Sequence, residues 1–230
     1  MNDNKTTPDI PAHPLRLHLG ATRIDCGREP SIDDYRGIPL PDSYLVVDFS
    51  RNQPSSDQQE LNAWLLQQAI QGASILHIGA GNSSVARLLA SRARWITSVT
   101  VSENEKQVAD SLALANYSCT LINKYSTSFV HSLEAAPYDF ILDNNLASFV
   151  CCQRHFETYM RSLVSLMTQD GILATHWLGM QWICEADAFR VDATWRLDPH
   201  TLGIIADAFY LTAERHGDIF LLKRRKTTAI

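Results

Sequence analysis

Ile75-Leu76-His77-Ile78-Gly79-Ala80-Gly81-Asn82-Ser83-Ser84 reads as a short apolar strand, a glycine-rich turn and the start of a helix. Glycines at 79 and 81 let the backbone turn sharply and let a ligand approach the main chain closely. The N–H groups opening the following helix can receive an anionic group such as a carboxylate. Two glycines alone are a weak signal, but their place between a strand and a helix raises it. A dinucleotide fingerprint needs a further glycine at position 84; Ser84 stands there, which argues against NAD or FAD.

Working outward, strands and helices alternate. Upstream, Ser55-Ser56-Asp57 offers cap chemistry to a helix over 57–71, ended by Gly72. Downstream, the pattern predicts a helix over 83–92, a strand over 95–101, a helix over 103–115 and a strand over 119–123. A short helix over 126–134, a strand over 138–143, a helix over 149–167 and a strand over 171–176 follow. A helix over 202–209 precedes strands over 210–214 and 218–223, joined by a tight turn at His216-Gly217. Such alternation demands a mostly parallel sheet covered on both faces. Residues 1–50 carry six of the nine prolines and no long helical pattern. They read as an N-terminal extension with one strand over 44–49, leaving 51–226 as the main domain.

The whole chain agrees with one α/β domain: 230 residues, 45% of them hydrophobic, fill one sizeable core. The formal net charge is −5 with both signs scattered, so no basic stripe invites nucleic acid. Lys223-Arg224-Arg225-Lys226 is short and reads as a solvated tail. No apolar run approaches the ~18 residues of a membrane span, and the polar start MNDNKTTPDIPAHP lacks an apolar signal core. The expectation is a cytoplasmic chain without membrane partners, its oligomeric state open. Cys26, Cys119, Cys151, Cys152 and Cys184 show no C-x-x-C spacing. They read as buried free thiols, with neither a disulfide framework nor a metal site expected.

The Gly79–Gly81 turn resembles the first signature of class I S-adenosylmethionine-dependent methyltransferases. The order of elements over roughly 57–223 is similar to that family as well. Ser98-Val99-Thr100-Val101-Ser102-Glu103-Asn104 resembles the end of its second strand, Tyr138-Asp139-Phe140-Ile141-Leu142-Asp143-Asn144-Asn145 its fourth strand, and Gln169-Asp170-Gly171-Ile172-Leu173 the turn before its fifth. The resemblance implies a Rossmann-like fold: a seven-stranded, mostly parallel sheet with a reversed last strand. It also implies S-adenosylmethionine as cosubstrate or sole substrate. Two positions depart from the pattern. His77 stands where the family usually carries an acid near the methionine end of the cofactor. Thr100 stands where a carboxylate usually grips both ribose hydroxyls, and its hydroxyl makes fewer such bonds. Glu103 is a candidate substitute, or a first-turn acid serving the helix dipole.

The expected cofactor-binding set is therefore His77, Gly79, Gly81, Asn82, Thr100, Glu103, Asn123 and Trp177. Asp143, Asn144 and His176 are the catalytic candidates. Asp143-Asn144-Asn145 ends a buried strand at the edge where open α/β sheets bind ligands, although such side chains also cap turns. Thr175-His176-Trp177-Leu178-Gly179-Met180-Gln181-Trp182 is unusually aromatic, either a hydrophobic corner or a set of faces for a sulfonium cation. His176 is either a structural strand-end residue or a general base. His155 and Tyr159 read as packing or surface groups, and Tyr35, Tyr44 and Phe49 as members of a lid.

Methyl transfer to a small molecule is the leading expectation, by in-line displacement helped by orientation and desolvation. No N-P-P-Y or D-P-P-Y element supports nucleobase or glutamine methylation. A second reading takes S-adenosylmethionine as sole substrate, cyclised to azetidine-2-carboxylic acid with release of methylthioadenosine. His77 suits that chemistry because it removes a charge that would hold the α-amine protonated. A third reading is a non-catalytic regulatory subunit that only binds the cofactor.

Overall fold

The computed structural model describes residues 25–35, 49–133, 137–147, 150–181 and 197–226. The apolar runs become strands: β1 (Ser74–Ile78), β2 (Trp95–Thr100), β3 (Tyr117–Leu121), β4 (Tyr138–Asp143), β5 (Met167–His176), β6 (Leu211–His216) and β7 (Ile219–Arg224). They form one seven-stranded sheet in the order β3-β2-β1-β4-β5-β7-β6. β1 to β5 pair in parallel, whereas β7 runs antiparallel to both β5 and β6. This is a Rossmann-like sheet with a reversed last strand.

Six helices are described: α1 (Ser56–Leu66), α2 (Ser84–Leu89), α3 (Glu103–Ser111), α4 (Gln153–Leu166), α5 (Trp177–Gln181) and α6 (Pro199–Ala208). Leu61, Trp64 and Leu65 of α1 and Val85, Ala86 and Leu89 of α2 pack on one face of the sheet. On the other face, Phe156, Tyr159, Met160 and Leu163 of α4 join Leu202 and Ile205 of α6. Both faces of the central strands are therefore buried, which is why β1 and β4 read as nearly unbroken apolar runs. None of the described helices is long and apolar enough to cross a membrane.

Several boundaries differ from the sequence reading. β3 begins two residues earlier than expected because Tyr117 pairs with Ile96 of β2, so Asn123 lies beyond the strand. β5 begins at Met167, paired with Tyr138 across an irregularity in register. A Cβ at Gly171 would lie 3.0 Å from both Thr168 N and Tyr138 O, so the irregularity needs glycine. α6 starts earlier because Asp198 caps it, accepting from Thr201 N at 2.7 Å, with Pro199 in the first turn. Only a 3-10 turn, Val130–Ser132, forms within 126–133. Residues 44–48 of the expected strand over 44–49, and with them Tyr44, lie outside the described residues, as do Trp182, Cys184 and the side chain of Tyr35; Phe49 is described and is not in a strand.

Candidate cofactor and active site

Crossovers from β1 lead one way to β2 and β3, and those from β4 lead the other way to β5. The strand order therefore switches between β1 and β4, where a crevice opens at the carboxyl edge of such sheets. Ile78 pairs with Asp143 there, so the ends of the two strands lie side by side. A cavity of about 380 Å³ occupies this position. Gly79, Ala80, Gly81 and Asn82 form one wall, and Phe49 and residues 52–55 another. Thr100, Glu105, Asn123, Lys124, Asp143, Asn144 and His77 are among its other polar lining residues.

The glycine turn has the conformation the sequence demanded. Gly79 and Gly81 have φ of +88° and +52°, and Ser83 joins them in the left-handed region at +61°. The turn is held to β2 by Gly79 N and Ala80 N, which donate to Val99 O at 2.8 and 3.1 Å. Asn82 donates to Asn52 O at 2.8 Å, fastening the turn to the segment that covers it.

Glu105 replaces Glu103 as the acid of this site. Glu103 is exposed at the start of α3 and does not line the cavity. Glu105 is buried and accepts from three donors: Phe49 N at 2.8 Å, Gly81 N at 3.0 Å and Thr100 Oγ1 at 2.5 Å. Local capping explains why. Ser102 caps α3 by accepting from Glu105 N, the first half of an S-x-x-E capping box. In the usual second half the Glu would reach back to Ser102 N. Here Thr100 Oγ1 takes that N–H at 3.0 Å, leaving the carboxylate to bridge the ends of β1 and β2. The S-x-x-E spacing was the sequence signal for Glu105.

At the end of β4, Asp143 is fully engaged. Its Oδ2 accepts from Lys124 Nζ at 2.8 Å and from Tyr159 OH at 2.6 Å, and its Oδ1 from Asn145 N at 3.2 Å. Lys124 also donates to Asn145 O at 2.8 Å and lies over the rings of Tyr125 and Tyr159. Burial pushes the Lys124 ammonium down, against the pull of Asp143, and pushes the Tyr159 phenol well up. Lys124 and Tyr159 were not anticipated as site residues; no motif marks either one.

Two lining residues carry buried polar atoms without a protein partner: both ring nitrogens of His77, and Oδ1 of Asn144. Asn144 Nδ2 donates to Asp57 at 2.6 Å, which fixes the amide. Burial pushes the His77 pKa down to about 4, opposed by the charge of Asp143. His77 is therefore neutral near pH 7, a donor at one nitrogen and an acceptor at the other.

His176 and Trp177 fall outside the cavity. Nδ1 of His176 accepts from Leu178 N at 3.1 Å, which leaves Nε2 to donate to Glu60 at 3.0 Å. With its lone pair already used at the start of α5, His176 has none to offer as a base. Trp177 packs against Phe220 at 6.5 Å between ring centroids. Asn123 lines the cavity, but its amide serves a turn and a tether, accepting from Tyr125 N and donating to Ser31 O. Of the lid candidates, Phe49 is at the cavity.

At the level of sequence, no protein-family model matches the chain and no curated protein is similar to it. The fold does have solved counterparts. The N-methyltransferase NodS from Bradyrhizobium japonicum WM9, in complex with S-adenosyl-l-homocysteine, superposes with a TM-score of 0.52 at 15% identity. That match covers 83% of this chain and 94% of NodS. A SAM-dependent methyltransferase from Aquifex aeolicus gives 0.51 at 13% identity, over 74% of this chain and 92% of that one. At such identities the likeness is one of architecture. This chain has the class I methyltransferase fold.

Proposed function

We propose that the chain binds S-adenosylmethionine in the cavity between β1, β2 and β4, and transfers its methyl group to a small-molecule acceptor. One observation carries this reading: Gly79 and Gly81, both at positive φ, line a cavity at the switch point of a methyltransferase fold. Without Cβ atoms at these two positions, a ligand can approach the main chain of the turn closely. Charge also fits: two carboxylates, Glu105 and Asp143, face one ammonium, Lys124, and His77 is neutral. The lining is thus net negative, which suits a sulfonium cation.

When bound, the cofactor supplies an electrophilic methyl group. Gly79 and Gly81 allow close approach of the main chain, Glu105 and Thr100 offer oxygens at the end of β2, and His77 and Asn144 orient the polar end. Pro54, Ser55 and Gln58 also line the cavity, and an acceptor would sit among the lining residues that the cofactor leaves uncovered. Catalysis rests on orientation and exclusion of water, because no side chain of the lining has a lone pair poised as a strong base.

The neutral state of His77 favours a second reading, cyclisation of S-adenosylmethionine as sole substrate. In that reaction the substrate's neutral α-amine attacks its own γ-carbon. The γ-carbon–sulfur bond breaks with its electrons going to sulfur, one proton leaves nitrogen, and azetidine-2-carboxylic acid and methylthioadenosine result. A carboxylate at position 77 would hold the amine as ammonium; an uncharged imidazole does not.

Calorimetry with S-adenosylmethionine tests binding, and absence of binding by the folded chain overturns both readings. Incubation with S-adenosylmethionine alone, followed by mass spectrometry, separates them. Methylthioadenosine with the cyclic amino acid identifies the cyclase. Adenosylhomocysteine formed only when small-molecule acceptors are added identifies the transferase, and binding without any product identifies a regulatory subunit.

A further inference from the structure

Cys26, Cys151, Cys152 and His155 converge at the start of α4, away from the cavity lining. The Sγ of Cys26 lies 3.5 Å from that of Cys151, and Nδ1 of His155 lies 3.4, 3.2 and 3.1 Å from the sulfurs of Cys26, Cys151 and Cys152. All four potential ligand atoms lie within 4.8 Å of one another. We propose that these three cysteines and one histidine form a structural zinc site.

Tetrahedral zinc with bonds of about 2.3 Å to sulfur and 2.0 Å to nitrogen separates its ligand atoms by roughly 3.5–3.8 Å. The Cys26–Cys151 sulfur pair and the three sulfur–nitrogen pairs, at 3.1–3.5 Å, are near those separations, and the remaining pairs lie within 4.8 Å. A disulfide would use two of the sulfurs and leave the third, with the imidazole, unexplained. Convergence of three sulfurs on one imidazole nitrogen is the pattern a single ion imposes. Three thiolates and one imidazole close the coordination shell, so the site is structural rather than catalytic. Binding of Zn²⁺ converts three thiols to thiolates and releases three protons. The helix start helps to hold that charge: Cys152 is the N-cap of the fourteen-residue α4, and its side chain makes no cap hydrogen bond.

The spacing hid this site. Three ligands come from one helix start, as C-C-x-x-H, and the fourth is more than a hundred residues upstream. That distance explains what the ion does. Cys26 belongs to the segment that approaches the site before β1, and its neighbours are fastened along the same line. Asp25 pairs with Arg154 at 2.7 Å, Glu29 accepts from Thr127 N and Ser126 Oγ, and Ser31 O accepts from Asn123. Asn123 lines the cofactor cavity. Zinc therefore clips the N-terminal segment against α4 and the loop after β3, beside the cavity's rim, whichever reaction the cavity supports.

The test uses the full chain, reduced and stripped with a chelator, then titrated with Zn²⁺ and separately with Co²⁺. One equivalent of Zn²⁺ should bind, with release of three protons. Co²⁺ should give thiolate-to-metal charge-transfer absorption and the intense d–d bands of a tetrahedral site, both erased by Zn²⁺. Cys26→Ser and Cys152→Ser should each weaken zinc binding by about a hundredfold or more, a share of the affinity typical of such sites. Cys119→Ser and Cys184→Ser should leave stoichiometry and spectrum intact. The proposal is overturned if the reduced, folded chain binds no Zn²⁺, or if cobalt gives a weak octahedral spectrum. It is equally overturned if Cys184→Ser abolishes binding, or if the native chain carries a stable Cys26–Cys151 disulfide. None of these readouts involves S-adenosylmethionine, so failure here is distinct from failure of the proposed function.

Discussion

Glu105 ties three parts of the site with one carboxylate: the covering segment through Phe49 N, the glycine turn through Gly81 N and the end of β2 through Thr100. Hydrogen bonds to a charged acceptor contribute about 1.5–3 kcal/mol each when buried. Glu105→Gln keeps the shape but turns an NH₂ group toward donors. The expected outcome is at least tenfold weaker S-adenosylmethionine binding by calorimetry and a lower unfolding midpoint. Thr100→Asp, which the family pattern would recommend, now predicts loss, because its carboxylate would face Glu105. Position 100 alone suggested that the acid was missing. A buried acid does line the cavity five residues on, at Glu105, in a place defined by a capping box and legible only once Thr100 is seen to take Ser102 N–H. His77 makes a separate prediction. An imidazole whose folded pKa lies near 4, below its ordinary 6.5, is protonated first in the unfolded chain. Its contribution is present above about pH 6.5 and is lost as pH falls toward 4, on the order of 3 kcal/mol in all. Denaturant unfolding of the ligand-free chain across that range should show a steeper acid loss than His77→Asn, which has no proton to gain. Parallel curves would mean that His77 is solvated.

At the scale of elements, strands were the most legible part, since β4 forms over the very residues whose apolar run announces it. The aromatic segment after β5 left two readings open, a hydrophobic corner and a cation box, and Trp177 takes the first: α5 turns it onto Phe220 and uses His176 as a strut. The glycine within that segment has the more direct bearing on the site. A Cβ on Gly179 would fall 1.9 Å from Asn144 O and 2.6 Å from its Oδ1. Backbone cannot yield that far, so α5 or the end of β4 must move. Gly179→Ala is expected to lower stability by about 1–3 kcal/mol or more in urea unfolding, and to weaken cofactor binding by displacing Asn144. Gly203, within α6, has open space around its would-be Cβ. Gly203→Ala should stabilise by roughly 0.5–1 kcal/mol, as removal of a helix glycine does. If Gly179→Ala proves neutral, the contact between α5 and Asn144 is not as close as described.

For the whole molecule, alternation of strand and helix was enough to foresee a mostly parallel sheet covered on both faces, while its seven strands and reversed last strand were what the family resemblance implied. It could not foresee contacts that join distant stretches, such as Cys26 with α4 or Phe49 with Glu105, because no local pattern encodes them. Those contacts decide how tightly the site closes, and ligand binding reports on them through global stability. A ligand that binds only the folded chain stabilises it by about 2.7 kcal/mol at a hundred times its dissociation constant. For a chain of this size each kcal/mol raises Tm by roughly 2–4 °C. Saturating S-adenosylmethionine should therefore raise Tm by about 5–10 °C. The size of the shift should also depend on charge. S-adenosylhomocysteine has the same hydrogen-bonding groups but no sulfonium charge. Glu105 and Asp143 outweigh Lys124 in the lining, and neutral His77 adds nothing to oppose a cation. S-adenosylmethionine should accordingly stabilise more than S-adenosylhomocysteine at equal concentration, measured by calorimetric or fluorescence melting. Replacing His77 by Lys should shrink or abolish that difference, because the added positive charge brings the net negative lining to neutral. If the uncharged product stabilises wild type more strongly, the cavity's charge does not act on the sulfonium, and the electrostatic part of the assignment fails.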